Sequence, residues 1–357
     1  MKIIVISGGG TAGHINPALS IARYMRDAGW QVHFIGNKNS LEERLINKAG
    51  YPFHKINVMK LYRRFTFAYI KFPFLLCFSI IRSIIIFKKL KPALYLGTGG
   101  FVSGPAGLAA HLMKIPIYLQ EQNSYPGMTT RYLAKWSQLI FLGNRKAADH
   151  LPGSNTQYTG NPINPVLLQS PNPIDQTSLK LDPAKKKVFL LGGSQGSLKL
   201  NSVLEEIVDD LLDNDLQLIW QTGSYSYQKF HDKFGNREGI YLFSYTDNIA
   251  ALYAISDLLI ARAGAITLTE LEYLKKPAIL VPLPTAAANH QLYNAQESAE
   301  KGEAEIIEQK NLTPVLLLKK VILMMENISD YEMKFSDSRH QHSAKDIAGA
   351  LTDLVGN

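Results

Sequence analysis

The chain has little cysteine, no acid over a long stretch, and no apolar run long enough to cross a bilayer. Its one cysteine, Cys77, excludes an internal disulfide framework and fits a reducing compartment. The N-terminus runs straight into the strand-like KIIVI and a glycine turn without a cleavage site, so no secretory signal is expected. H-E-x-x-H, paired cysteines and G-x-x-x-x-G-K-[ST] do not occur, and neither a metal nor a cofactor is expected. Between Glu43 and Glu121 there is no Asp or Glu, whereas residues 44–120 carry twelve Lys or Arg. The net charge of +8 is therefore concentrated in that interval, and the rest of the chain is net acidic.

Such an interval suits nucleic acid or an anionic membrane surface. Its centre, residues 60–91, reads KLYRRFTFAYIKFPFLLCFSIIRSIIIFKKLK. A transmembrane helix takes about 20 mostly apolar residues. Here Lys71, Pro73 and Arg82 interrupt, and only FPFLLCFSII lies between charges. One reading is a buried helix with a basic outer edge. The other is a segment lying on an anionic bilayer, favoured because bulky apolar residues and cations coincide with a complete lack of acid. Nucleic acid is not an expected partner.

What the chain does contain is α/β alternation, in 357 residues that are 46% hydrophobic and 19% charged, enough for two ordinary globular domains. Strand-like runs occur at 3–7, 32–36, 94–99, 115–120 and 139–143, with helical stretches between most of them. Residues 161–187 then bring five prolines and three consecutive lysines, the punctuation of a linker. The alternation restarts at 188–193 and continues at 216–223, 240–245, 258–264, 278–283 and 304–308. This predicts two doubly wound α/β domains with parallel sheets, 1–161 and 162–340. A terminal helix at about 341–357, with Ile347, Leu351, Leu354 and Val355 at helical spacing, is expected to pack back on the first domain.

Each domain opens with a strand running into a glycine turn, GGGTAGH and GGSQGS. Gly8 to Gly13 satisfies G-x-G-x-x-G, but a dinucleotide site also needs an acid at the end of the second strand, and residues 33–39 contain none. A nicotinamide or flavin cofactor is therefore not expected. Glycines still let backbone N–H groups approach an anion at a helix N-terminus. Two such loops predict a phosphate ligand at the mouth of a cleft; the plainer alternative is a pair of tight strand-to-helix turns.

Three further stretches carry chemistry: QEQNSYPG (120–127), ARAGAITLTELEYLKKP (261–277) and NHQLYNA (289–295). Together with GGGTAGHINPA, GTGGFVSGPAGLAA, GNP and GGSQGS, in this order over nearly the whole chain, they resemble the MurG family. That family transfers N-acetylglucosamine (GlcNAc) from UDP-GlcNAc to undecaprenyl-pyrophosphoryl-MurNAc-pentapeptide, lipid I, giving the peptidoglycan precursor lipid II. The resemblance implies a GT-B fold and an inverting, metal-independent attack by the acceptor's 4-hydroxyl. It also implies peripheral attachment to the cytoplasmic face of the bacterial plasma membrane, with the first domain taking the acceptor and the second the donor.

By the same resemblance Thr11, Ala12 and Gly13 meet the donor, Asn123 contacts its sugar, and Ser194 binds near the diphosphate. Thr246 holds the uracil through its backbone, Ala265, Ile266, Thr267, Leu268, Thr269 and Glu270 wrap the nucleotide with Glu270 on the ribose, and Gln291 reaches the GlcNAc hydroxyls. His14 and Glu121 are the two candidate general bases, and the sequence leaves the choice open. Ala12, Gln120 and Asn164 depart from the commonest family pattern. A diacylglycerol glycosyltransferase would share the donor loops and the membrane patch, a UDP-GlcNAc epimerase would need no patch, and a nucleotide-sugar sensor would bind without turnover.

Overall fold

The computed structural model describes the chain apart from residues 60–70, 170, 172, 194, 195, 247 and 357. It divides into two compact units, one of Met1–Pro165 with Arg339–Asn357 and one of Val166–Ser338. The expected contacts of Ser194 and the first part of the basic segment 60–91 lie outside the described residues.

The first unit runs β1 (Ile3–Ser7), α1 (Ala12–Asp27), β2 (Gln31–Asn37), α2 (Leu41–Lys48), β3 (Phe53–Ile56), α3 (Phe72–Leu90), β4 (Leu94–Gly97), α4 (Ser103–Leu112), β5 (Ile117–Glu121), α5 (Met128–Leu133), β6 (Leu139–Leu142) and β7 (Thr156–Tyr158). Its sheet has the order β3-β2-β1-β4-β5-β6-β7, all parallel. With helices on both faces the central strands are apolar on both sides. Ile4 and Ile6 enter one core cluster and Val5 the other.

The second unit runs β8 (Lys186–Leu191), α6 (Leu198–Glu205), α7 (Val208–Asp213), β9 (Leu216–Gln221), α8 (Tyr227–Phe234), β10 (Ile240–Phe243), α9 (Ile249–Ile255), β11 (Leu258–Ala261), α10 (Ala265–Leu274), β12 (Ala278–Leu280), α11 (His290–Glu300), β13 (Ala304–Ile306), α12 (Pro314–Glu326) and α13 (Ile328–Glu332). The strand order is β10-β9-β8-β11-β12-β13, again parallel. In both sheets the winding reverses beside the first strand, so the loops leaving the two strands at the reversal diverge and open a crevice at their C-terminal ends.

The last helix, α14 (His340–Gly356), belongs to the first unit. Ile347 and Leu351 are fully buried in the core beside α1, whereas Leu354 faces outward. Its start is pinned to the end of the first sheet. The Asn161 N–H donates to Nδ1 of His340 at 2.8 Å, and the Ser343 hydroxyl donates to the Gly160 carbonyl at 2.7 Å.

α3 is apolar on its exposed face as well as its buried one. Pro73 sits in its first turn and Lys88 and Lys89 in its last, both favoured at those ends. Its buried residues are Ser79, Ser83, Ile86 and Phe87, and the Ser79 hydroxyl donates to the Asn57 carbonyl at 2.7 Å. Phe74, Phe78, Ile81 and Ile85, spaced four, three and four apart, share the exposed face.

Candidate active site

The loops after β1 and β4 interlock at the reversal point of the first sheet. Gly100, at φ +78°, lies so close to Gly9 that a Cβ would sit 2.1 Å from the Gly9 carbonyl oxygen. The first-loop amides are largely spent inside the protein. The Gly9 N–H donates to the Gly99 carbonyl at 3.4 Å, and the Gly10 N–H to Oε2 of Glu42 at 3.3 Å. Oε1 of Glu42 accepts from the Asn37 N–H at 3.2 Å.

Residues 33–39 hold no acid, and Glu42 is the first to follow them. It stands in the first turn of α2, which Ser40 caps, and reaches back beneath the glycines. The anion on Gly10 is thus the protein's own carboxylate, and a ligand is left with the start of α1. There Thr11 occupies the N-cap position but its side chain does not cap, and the first N–H groups of a helix have no intrahelical acceptor. Thr11, Ala12 and Gly13 form that start.

His14 lies one residue further on, and its Nδ1 is 2.7 Å from Oε1 of Gln122. The Gln122 amide has one workable orientation. Its Nε2 donates to the Thr98 carbonyl at 2.8 Å, to the Gln120 carbonyl at 3.2 Å and to Gln120 Oε1, so its oxygen faces the imidazole. Nδ1 of neutral His14 therefore carries the proton, and Nε2 keeps a lone pair. Asn161 completes the support, accepting from Gln120 Nε2 at 3.1 Å and donating to the Gln122 carbonyl at 3.0 Å.

Glu121, the other candidate base, is buried with both oxygens occupied. Oε1 accepts from the N–H and the side-chain amide of Asn123, at 3.0 and 2.9 Å, and Oε2 from the Gly127 N–H at 3.0 Å. Its carboxylate ties the turn after β5 and orients Asn123.

In the second unit the expected residues gather at the corresponding sheet edge. Thr246 accepts from the Asn248 N–H at 3.0 Å in the turn before α9. α10 starts after Gly264 with no side-chain cap. Along it Ile266 and Thr269 are buried, while Ala265, Thr267, Leu268 and Glu270 keep some exposure. Burial pushes the Glu270 carboxyl up to about 7, partly countered by the Tyr253 hydroxyl that donates to its Oε2 at 3.0 Å. Oε1 of Gln291, in the first turn of α11, accepts from the Leu283 N–H at 2.8 Å, which leaves its amide hydrogens for a ligand. The glycine loop packs tightly on β9: at Gly196, φ +78°, a Cβ would lie 2.0 Å from the Thr222 carbonyl oxygen.

Among the described residues no group of three or more His, Cys, Asp or Glu is placed to hold a metal ion. The Asp-x-Asp at Asp213-Asn214-Asp215 joins the end of α7 to the start of β9, at the sheet edge opposite the glycine loop. Asp215 there pairs with Lys185 at 2.9 Å.

Residues 4–142 match the glycosyltransferase family 28 N-terminal domain and residues 187–351 its C-terminal domain. A protein of Flavobacterium psychrophilum named UDP-N-acetylglucosamine–N-acetylmuramyl-(pentapeptide) pyrophosphoryl-undecaprenol N-acetylglucosamine transferase is 33% identical over 312 residues, 86% of this chain and 85% of its own. A protein of the same name from an Exiguobacterium species is 33% identical over 362 residues, 99% and 98% of the two chains. The crystal structure of Acinetobacter baumannii MurG matches with a TM-score of 0.75 at 26% identity, covering 100% of this chain and 99% of that one. The fold is GT-B.

The Gln122 contact predicts the His14 tautomer. Nitrogen-15 NMR above the imidazole pKa should find the His14 proton on Nδ1, and Gln122→Ala should move the population toward the Nε2–H form. An unchanged tautomer would mean that Gln122 does not set it.

Proposed function

Because this chain belongs to the MurG family of GlcNAc transferases, we propose that it moves GlcNAc from UDP-GlcNAc to the MurNAc 4-hydroxyl of lipid I, forming lipid II. The observation that carries this reading is the match to enzymes of that name along essentially the full length of both chains. The mechanism rests on the lone pair that Gln122 leaves on Nε2 of His14.

In this reading His14 Nε2 takes the proton of the acceptor hydroxyl as its oxygen attacks the anomeric carbon from the face opposite UDP. The new C–O bond forms as the bond to the β-phosphate oxygen breaks. Its electron pair leaves with UDP, and a β-1,4 link results. Glu121 holds Asn123 for the donor sugar and is not the base, because both its oxygens already accept N–H donors. Thr11, Ala12 and Gly13 present the start of α1 to the donor. In the second unit Thr246 receives the uracil, Ala265 to Glu270 wrap the nucleotide, and the Gln291 amide reaches the sugar. Helix N-termini and neutral donors hold the diphosphate, and no metal is required.

No helix among the described residues is long and apolar enough to cross a membrane. The outward face of α3 suits attachment to an anionic leaflet. Phe74, Phe78, Ile81 and Ile85 form an apolar stripe, and Lys71, Arg82, Lys88 and Lys89 are exposed on or beside the helix. Beyond α4, the partly exposed Tyr132 meets Trp136 edge-on, and Lys135 lies over both rings, a composition of membrane interfaces. These features support a reading in which the enzyme works at the cytoplasmic face of the plasma membrane, on a lipid acceptor.

Labelled GlcNAc should pass from UDP-GlcNAc to a lipid I analogue with EDTA present, and His14→Ala should lower the rate roughly 10²- to 10⁴-fold. Failure of transfer with UDP-GlcNAc still bound would overturn the acceptor assignment.

The raised Glu270 pKa has a definite sign. Ribose hydroxyls donate to the ionised carboxylate, so UDP affinity should rise as pH increases through about 7 and level off above it. Titration calorimetry should find about one proton released per UDP bound below that point. A flat pH profile would remove Glu270 from the ribose.

Phe78→Glu combined with Ile81→Glu should weaken sedimentation with phosphatidylglycerol vesicles and leave UDP affinity unchanged. Equal sedimentation of variant and wild type would exclude the α3 face.

A further inference from the structure

In the second unit the winding reverses between β8 and β11, and the two loops leaving these strands meet through one side chain. Arg262 is the first residue after β11, and Ser197 is the last before α6. Arg262 Nη2 donates to Ser197 Oγ at 2.8 Å and to Gln309 Oε1 at 2.6 Å. Nη1 donates to the carbonyls of Val281 at 3.0 Å and Pro282 at 3.5 Å. Every one of these acceptors is neutral. Among the described residues no carboxylate pairs with the guanidinium, and burial pulls its pKa below the usual arginine value. A partly buried cation surrounded by neutral acceptors has spent hydration without recovering it from an opposite charge.

The geometry around Ser197 gives that charge a direction. Its hydroxyl oxygen accepts from the Leu200 N–H at 3.5 Å, as the cap of α6, and also from Arg262. Both lone pairs are thus occupied, and the hydroxyl's own proton is left to donate. The N-cap of α10, Gly264, stands two residues after Arg262 and offers no side-chain cap. A guanidinium without a counter-charge, a polarised hydroxyl donor and two helix N-termini therefore share one crevice, which is the environment of a multiply charged oxyanion.

We propose that Arg262, acting through Ser197, is the positioning residue for the donor's diphosphate and offsets the negative charge that UDP gains on leaving. The inference rests on the reading of the second unit as the UDP-GlcNAc site. When the bond from the anomeric carbon to the β-phosphate oxygen breaks, the pair stays on that oxygen, and a fixed cation nearby stabilises the change without reorganising. Ser197 then touches phosphate, while the guanidinium polarises Ser197 and fixes the loops after β8, β11, β12 and β13.

The test is calorimetric binding of uridine, UMP and UDP to the full-length wild type, Arg262→Gln, Arg262→Lys and Ser197→Ala. Arg262→Gln should bind uridine as the wild type does, UMP several-fold more weakly and UDP roughly tenfold to a hundredfold more weakly. Arg262→Lys should recover part of the UDP affinity, and Ser197→Ala should lose about tenfold for UDP alone. A purely structural role would depress uridine as much as UDP, and that result, or unchanged UDP binding, would overturn the proposal. Should Arg262→Gln fail to fold, Ser197→Ala decides: intact UDP affinity in that variant overturns it. A wild type that binds neither uridine nor UDP would instead remove the donor reading, and the proposal with it.

Discussion

One buried amide organises the chemistry of the first unit. Gln122 has its nitrogen committed to the Thr98 and Gln120 carbonyls, so its oxygen must face His14. That fixes which imidazole nitrogen carries the proton and which is basic. The amide is itself held from behind, since Asn161 takes up Gln120 and the Gln122 carbonyl, and the Asn161 N–H is received by His340 at the head of α14. Buried polar groups are costly when unpaired and rigid when fully paired, and this chain is paired from link to link. The last helix of the polypeptide therefore does more than fill the core. It anchors the strand end that orients His14, the proposed base.

The two units use the same architecture with opposite charge at the reversal of the sheet. In the first, an acid from α2 folds under the glycine loop and takes the Gly10 N–H. In the second, an arginine stands at the equivalent crevice with neutral acceptors only. A loop already holding a carboxylate is a weaker site for a further anion than one beside an unpaired cation. This difference favours the second unit for the proposed diphosphate site, although both loops read as glycine-rich.

α3 shows how far local pattern and tertiary use can diverge. Hydroxyls occupy its buried side, where Ser79 and Ser83 satisfy their protons on backbone carbonyls. They share that side with Ile86 and Phe87, whereas Phe74, Phe78, Ile81 and Ile85 stand outside. Exposed apolar stripes of this kind mark contact surfaces, and the flanking lysines and arginine are what support the proposed anionic one.

The sequence by itself determined the fold class. Alternating apolar runs and glycine turns identified all six strands of the second sheet and five of the seven in the first. The two it left out, FHKI and TQY, are the edge strands β3 and β7, short and partly polar because only one side of an edge is paired. It also located His14, Glu121, Asn123, Glu270 and Gln291 by motif. Tertiary structure alone decided what each can do. Glu42 lies beyond the strand end where a ribose-binding acid is sought. The tautomer of His14 depends on a glutamine 108 residues away, and the occupation of Glu121 on a turn that closes back on it. Arg262 meets Ser197 across 65 residues. Composition and spacing report which groups a chain possesses, whereas hydrogen-bond partners, and with them protonation and charge balance, are set only when distant strand ends are brought to one edge.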